Sequence, residues 1–267
     1  VREVLATGTP VVLVLMSGRP YALGGEVDRA AAIVAAFFAG QRGGQALAEV
    51  LTGAVEPSGR LPVSVPRDAG GLPATYLSPA LGRRSQVSSV DPTPAFPFGH
   101  GLSYTEFSWS DARVLQADGA AREASSEPAP WAVDGEVRVG ITVRNTGTRA
   151  GTEVVQLYLH DPVAQVTRPV VRLVGFARVA LEPGGQARVT FDVPAALASF
   201  TGLRGTRIVE PGDVELRFGR SSGESAAAVA LRLTGAQHEI GHLRALISRA
   251  RVESDDAVAH TSQEAGG

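Results

Sequence analysis

An α/β segment followed by an antiparallel β-sandwich is the fold class that these 267 residues predict, on three observations. Two continuous apolar runs, Pro10 to Met16 and Ala30 to Ala39, have the character of parallel strands covered on both faces. Between the second run and the extended stretch PSGRLPVSVP lies GGQALAEVLTG, where Ala46, Leu47, Val50 and Leu51 share one helical face and Gly53 supplies the cap. Beyond Gly135 the apolar period changes to two, and Gly- and Pro-rich turns separate short alternating segments.

The elements follow in order. VREVLATG has the form of the last turns of a helix capped by Gly8, and a chain that opens inside an element is expected to continue a longer one. Strand, helix and strand then make part of an α/β layer, which we assign to residues 1–115. QADGAAREASSEPAPWAVDG, residues 116–135, lacks periodicity and is expected to be a linker or long loop. The sandwich is assigned to 136–234. Val137, Val139, Ile141 and Val143 alternate, NTGTRAG turns, and TEVVQLYLHD, VRLVGFARVAL, QARVTFDV, DVELRFG and AVALRL bring the count to about seven strands. Residues 235–254 form a C-terminal extension, and the polar stretch 255–267 is expected to be a disordered tail.

Composition narrows the function classes. A net charge of −2 provides no field to recruit nucleic acid or an anionic membrane, so neither is expected as a partner. All 25 basic residues are arginine. The absence of cysteine removes disulfides, thiol nucleophiles and Cys-ligated zinc, and it fits oxidising and reducing compartments equally. Localisation is therefore left open, and no cofactor is expected.

One motif points to different chemistry. His238-Glu239-Ile240-Gly241-His242 spells HExxH, in which two imidazoles on one helical face hold zinc while the carboxylate activates its water. A third ligand has no scaffold here. The extended protease pattern requires Gly at 245 and His at 248, where the chain has Ala245 and Ser248, and His260 lies in the polar tail. No metal ligand is nominated.

Three stretches occur in a diagnostic order: TGTPVVLVLMSGRP, then GQRGGQALAEVLTGAVEPSGRLPVSVPR, then FPFGHGLSYTEF, ahead of VRNTGTRAGTEVVQLYL. Together they resemble the C-terminal part of glycoside hydrolase family 3 enzymes of the β-glucosidase and β-xylosidase kind. The resemblance implies the end of an α/β sandwich domain followed by a fibronectin type III-like module, both within an exo-acting retaining β-glycosidase. It implies a β-glycoside or oligosaccharide substrate, and an N-terminal barrel domain as partner within the same protein. Retaining enzymes need two carboxylates about 5–5.5 Å apart. The family's nucleophile belongs to the barrel and its acid/base to a loop ahead of the TGTPVV-like strand, so the resemblance places neither in this chain. Glu26, Asp28, Glu49, Glu56, Asp68, Asp91 and Glu106 fall in none of the family's catalytic motifs, and no catalytic residue is nominated.

In open parallel sheets the binding crevice lies beyond the carboxyl ends of the strands. That places Ser17, Gly18 and Arg19 after the first strand, and Gln41 and Arg42 after the second, as candidate substrate-binding or domain-interface residues. His100, in FGHGLSYT, is a further candidate. There Gly99 and Gly101 are expected to adopt angles closed to other residues, while Phe96, Phe98, Leu102, Tyr104 and Phe107 serve as buried anchors. A non-catalytic carbohydrate-binding or adhesion module is the alternative reading. Against it, Trp109 and Trp131 are the only tryptophans and both fall near the linker, which leaves no evident aromatic platform.

Overall fold

Residues 1–72, 74–116, 118–122 and 127–254 are described by the computed structural model. The chain divides into two units, Val1–Leu102 and Ser103–Gly267.

In the first unit a single helical turn, α1 (Arg2–Leu5), leads into β1 (Val12–Leu15). β1 pairs in parallel with β2 (Ala32–Ala35), with Leu15 opposite Ala35. Helix α2 (Gly43–Leu51) follows. Its last turn closes as the sequence predicts: Gly53 takes φ +75° and its N–H reaches the Val50 carbonyl at 3.0 Å. The first helix ends earlier than expected, at Leu5, with Gly8 in the left-handed region beyond it.

The strands are also less covered than their apolar runs suggest. β1 and β2 are only half-buried, and Val12, Met16 and Leu51 are exposed. A two-stranded sheet offers its faces too few neighbours to bury both.

The two most specific sequence motifs fold against each other. Leu61 N–H donates to His100 O at 2.9 Å and Gly99 N–H to Leu61 O at 2.8 Å. Further along, Val65 N–H donates to Phe96 O at 2.8 Å, and Ser64 Oγ accepts from Phe98 N–H at 3.0 Å. Thus PSGRLPVSVP and FPFGHG form one paired structure. Gly99 has the left-handed φ of +83° that its position predicts. Gly101 is required for another reason: a Cβ there would overlap the Gly59 carbonyl and lie 2.9 Å from Arg60 Cδ. Phe96 and Phe98 are half-buried, whereas Leu102 is exposed rather than an anchor.

The second unit is the sandwich. Its strands are β3 (Phe107–Leu115), β4 (Ala129–Ala132), β5 (Glu136–Asn145), β6 (Gly151–His160), β7 (Arg172–Leu181), β8 (Gln186–Pro194), β9 (Phe200–Thr201), β10 (Arg207–Val209), β11 (Gly212–Ser221), β12 (Glu224–Thr234), β13 (His238–Glu239) and β14 (Arg249–Ser254). One sheet has the order β4-β12-β11-β6-β7 and the facing sheet β14-β8-β5-β3, while β13-β10-β9 form a small third sheet. The core is built by strict alternation. Val137, Val139, Ile141 and Val143 of β5 point inward with Val189, Phe191 and Val193 of β8, against Leu157 of β6 and Leu216 and Phe218 of β11. Phe191 and Phe218 meet across the sheets with ring centroids 6.2 Å apart.

Three assigned boundaries shift. β3 pairs with β5, so residues 107–115 belong to the sandwich rather than the α/β segment. β4 pairs in parallel with β12 and buries Trp131 to 2% exposure, so part of the expected linker is a core strand. Of that linker, residues 117 and 123–126 lie outside the described residues. Residues 235–254 are less an appendage than a source of two strands, since β13 pairs with β10 and β14 with β8. The expected tail, 255–267, lies outside the described residues.

Tyr104 and Phe107, the remaining expected anchors, lie in this second unit; Tyr104 is exposed and Phe107 buried.

Candidate functional site

Because β1 and β2 run parallel and in register, the chain leaves both at the same edge. Ser17, Gly18 and Arg19 follow β1, and Gln41 and Arg42 follow β2. The two loops touch at Gly18, where a Cβ would sit 2.9 Å from Phe38 Cε2. A glycine at 18 lets that ring close over the backbone.

Each candidate has a definite local role. Ser17 Oγ donates to the Arg19 carbonyl at 2.8 Å, which shapes the loop. The Arg19 guanidinium lies 5.1 Å from the centre of the Tyr21 ring. Gln41 is exposed, and Arg42 caps the N-terminus of α2 through its backbone only. Ser17 and Arg19 thus lie directly beyond β1, whereas Gln41 and Arg42 come after the turn that follows β2 and lead into α2. His100 belongs to a different element, the pairing of the Leu61 and Gly99 segments, where its ring stacks on Phe96 at 5.2 Å.

Two residues that the sequence reading did not single out also stand at this edge. The second apolar run was expected to remain strand through Ala39, but β2 ends at Ala35. Phe37 then takes a left-handed φ of +49°, and Phe38 is 80% exposed. A bulky residue held at positive φ, beside an exposed ring, marks a locally constrained turn. In the sequence only Gly40, two residues after Phe38, hinted at this turn.

Four carboxylates of this unit, Glu26, Glu49, Asp68 and Asp91, have structural partners. Glu26 pairs with Arg2 at 3.1 Å, and this hydrogen bond is the main cause holding its carboxyl below the usual range. Asp91 is likewise lowered, chiefly by its bond from Thr93. Asp68 caps the following turn by accepting from Gly70 N–H at 2.8 Å, and Glu49 accepts from Gln45 at 2.8 Å. A general acid at neutral pH needs a raised pKa, which is opposite to the shifts of Glu26 and Asp91.

The HExxH spelling takes an extended form. His238 and Glu239 are β13, paired with Val209 and Ile208, and both are exposed. The pattern is not helical, so the shared face on which two imidazoles four residues apart would meet does not form.

Comparison with known proteins assigns both halves. Residues 1–104 match the Glycosyl hydrolase family 3 C-terminal domain. Residues 153–222 match the Fibronectin type III-like domain. The chain belongs to glycoside hydrolase family 3, as its C-terminal part. A periplasmic beta-glucosidase of Salmonella typhimurium is 39% identical over 227 residues, covering 81% of this chain and 28% of the relative. A putative beta-xylosidase of Formosa agariphila is 33% identical, covering 83% and 28% respectively. Among solved structures, the family 3 fold matches beta-glucosidase from Listeria innocua in complex with glucose, with a TM-score of 0.76 and 30% identity, over 87% of this chain and 32% of that one. The chain thus spans between a quarter and a third of the length of these family 3 relatives.

Proposed function

We propose that this chain is the C-terminal part of an exo-acting retaining β-glycosidase, β-glucosidase-like, that hydrolyses O-glycosyl bonds. Within it, residues 1–102 support the sugar site and form part of its wall, while the nucleophile comes from an N-terminal barrel and the acid/base from a sandwich-domain loop ahead of the TGTPVV-like strand. The observation that carries this reading is the β1–β2 edge. Ser17 and Arg19 leave it after β1, Phe38 stands against Gly18 across the two loops, and Phe38 and Tyr21 offer exposed rings; Gln41 and Arg42, which lead into α2, are proposed to share this wall. Sugar faces are apolar enough to reward contact with an exposed ring, and a guanidinium supplies directional donors to hydroxyls. The names of the relatives, β-glucosidases and a β-xylosidase, agree in reaction class and support the assignment. His100 is a further proposed contact, held in place by the paired PSGRLPVSVP and FPFGHG segments.

The experiment is kinetic and uses the complete reading frame that carries this chain. Phe38→Ala and Arg19→Ala are expected to raise KM for an aryl β-glucoside several-fold while leaving the protein folded. A complete protein that hydrolyses no β-glycoside yet retains a polysaccharide on a column would favour the carbohydrate-binding module instead.

A further inference from the structure

The sandwich contains a cationic cavity that a glycosidase reading does not employ. It encloses about 140 Å³ and is lined by Arg172 of β7, Arg207 of β10 and Arg244 of the C-terminal extension, with Val174, Leu197 and Leu246 as apolar wall. Arg207 is fixed in place. Its Nε donates to Ser199 Oγ and its Nη2 to the Ser199 carbonyl, both at 2.9 Å. Neither partner is charged, so the bonds set the plane of the guanidinium without neutralising it.

Elsewhere in the sandwich, arginines find carboxylates: Arg138 with Asp192, Arg188 with Asp111, and Arg232 with Asp213. Arg207 and Arg244 form no ion pair among the described residues. The charges acting on Arg207 include those of Arg244 and Arg168, both cations. Burial first, and the like charge of Arg244 second, hold the Arg207 guanidinium below its usual range. Two half-buried cations facing one partly apolar cavity are an unfavourable arrangement alone, and an anion between them reverses its sign. Guanidinium groups hold oxyanions through paired, charge-assisted hydrogen bonds, and a pre-oriented guanidinium loses less freedom in forming them.

We propose that Arg172, Arg207 and Arg244 form a binding site for a small oxyanion, either a tetrahedral anion such as sulfate or phosphate, or the carboxylate of an acidic sugar. The site lies in the fibronectin type III-like half and is independent of the glycosidase reading. It gives this module a ligand of its own, where the fold by itself implies only support.

Calorimetric titration of the full chain with sodium sulfate, sodium phosphate and sodium glucuronate, each at ionic strength held constant with sodium chloride, tests it. Saturable binding of at least one of the three is expected. Arg244→Gln should weaken it by about ten-fold or more. The control Arg204→Gln, at an exposed position outside the cavity, should leave the affinity unchanged. Unchanged melting of Arg244→Gln in chloride alone, to within about 2 °C, separates lost binding from lost folding. Response to glucuronate alone assigns an acidic sugar, and response to sulfate or phosphate alone assigns a tetrahedral anion. No saturable binding of any of the three, or equal affinities in the two variants, overturns the proposal.

Discussion

The side-chain amide of Asn145 donates to the Leu181 carbonyl at 3.0 Å, which ties the end of β5 in one sheet to the end of β7 in the other. Asn145 is fully buried, and its other bonds are made as well: Nδ2 to Arg149 O at 2.7 Å, and Oδ1 from Thr105 Oγ1 at 2.8 Å and from Gly147 N–H at 3.1 Å. An amide has this many sites and all are filled. The NTGTRAG turn is therefore a polar lock between sheets. Asn145→Ala strands several buried partners and is expected to cost about 2–4 kcal/mol. Denaturant unfolding of the two proteins checks this, and a change below about 0.5 kcal/mol would refute the lock.

Acid lability follows from Asp192. Its carboxylate, on β8, lies 2.6 Å from Arg138 Nε of β5 and 2.7 Å from Arg251 Nη1 of β14. Burial alone would raise this acid, but the hydrogen bond from Arg138 and the two positive charges prevail and hold it below the usual range. A lowered folded pKa contributes stability that is present above the unfolded value, about 3.9, and is lost as pH falls through the folded one. Asp192→Asn should lower Tm by roughly 4–8 °C near neutral pH. That gap should close as pH falls below the folded pKa of Asp192. Melting curves at a series of pH values read both, and a gap that persists unchanged to pH 2 would exclude this origin.

The two units differ in how firmly they are held. Among the described residues of Val1–Leu102, Leu5 and Val65 are the large aliphatic side chains that are buried, and neither fully, whereas the sandwich has a continuous core. Amides of β1 and β2 are therefore expected to exchange with solvent at least roughly a hundred-fold faster than those of β5 and β8. Exposed Val12, Met16 and Phe38 should also make residues 1–102, prepared separately, prone to associate. Uniform protection across both units, or a monodisperse and cooperatively folding first unit, would contradict this.

The sandwich was legible because sequence alternation survives in β5, β8 and β11. Val137 to Val143 announce their inward face whatever surrounds them. β4 and β14 were not legible. Each is an edge strand joined by pairing rather than by pattern: APWA reads as linker, with its one large buried side chain, Trp131, among Ala and Pro. β14 is Arg249–Ser254, where Arg249, Arg251 and Glu253 alternate with Ala250, Val252 and Ser254, an inner face too small to stand out as a core strand; Arg251 pairs with Asp192 of β8. In the first unit, the apolar run through Ala39 hid the turn at Phe37 and Phe38, because strand propensity cannot show where a parallel strand ends. The exit of Ser17 and Arg19 beyond β1 follows from the position of that strand, but the exposed rings of Tyr21 and Phe38 near it have no signature in the sequence pattern.

The central claim of the proposed function is that the chain belongs to a glycosidase whose reacting carboxylates lie outside residues 1–267. Its most direct measurement is the release of nitrophenol from p-nitrophenyl β-glucoside and β-xyloside by the purified chain alone. The account predicts no turnover above a mock preparation at any pH. Turnover that co-purifies with the chain, and that disappears on substitution of one of its own Asp or Glu residues, would contradict it.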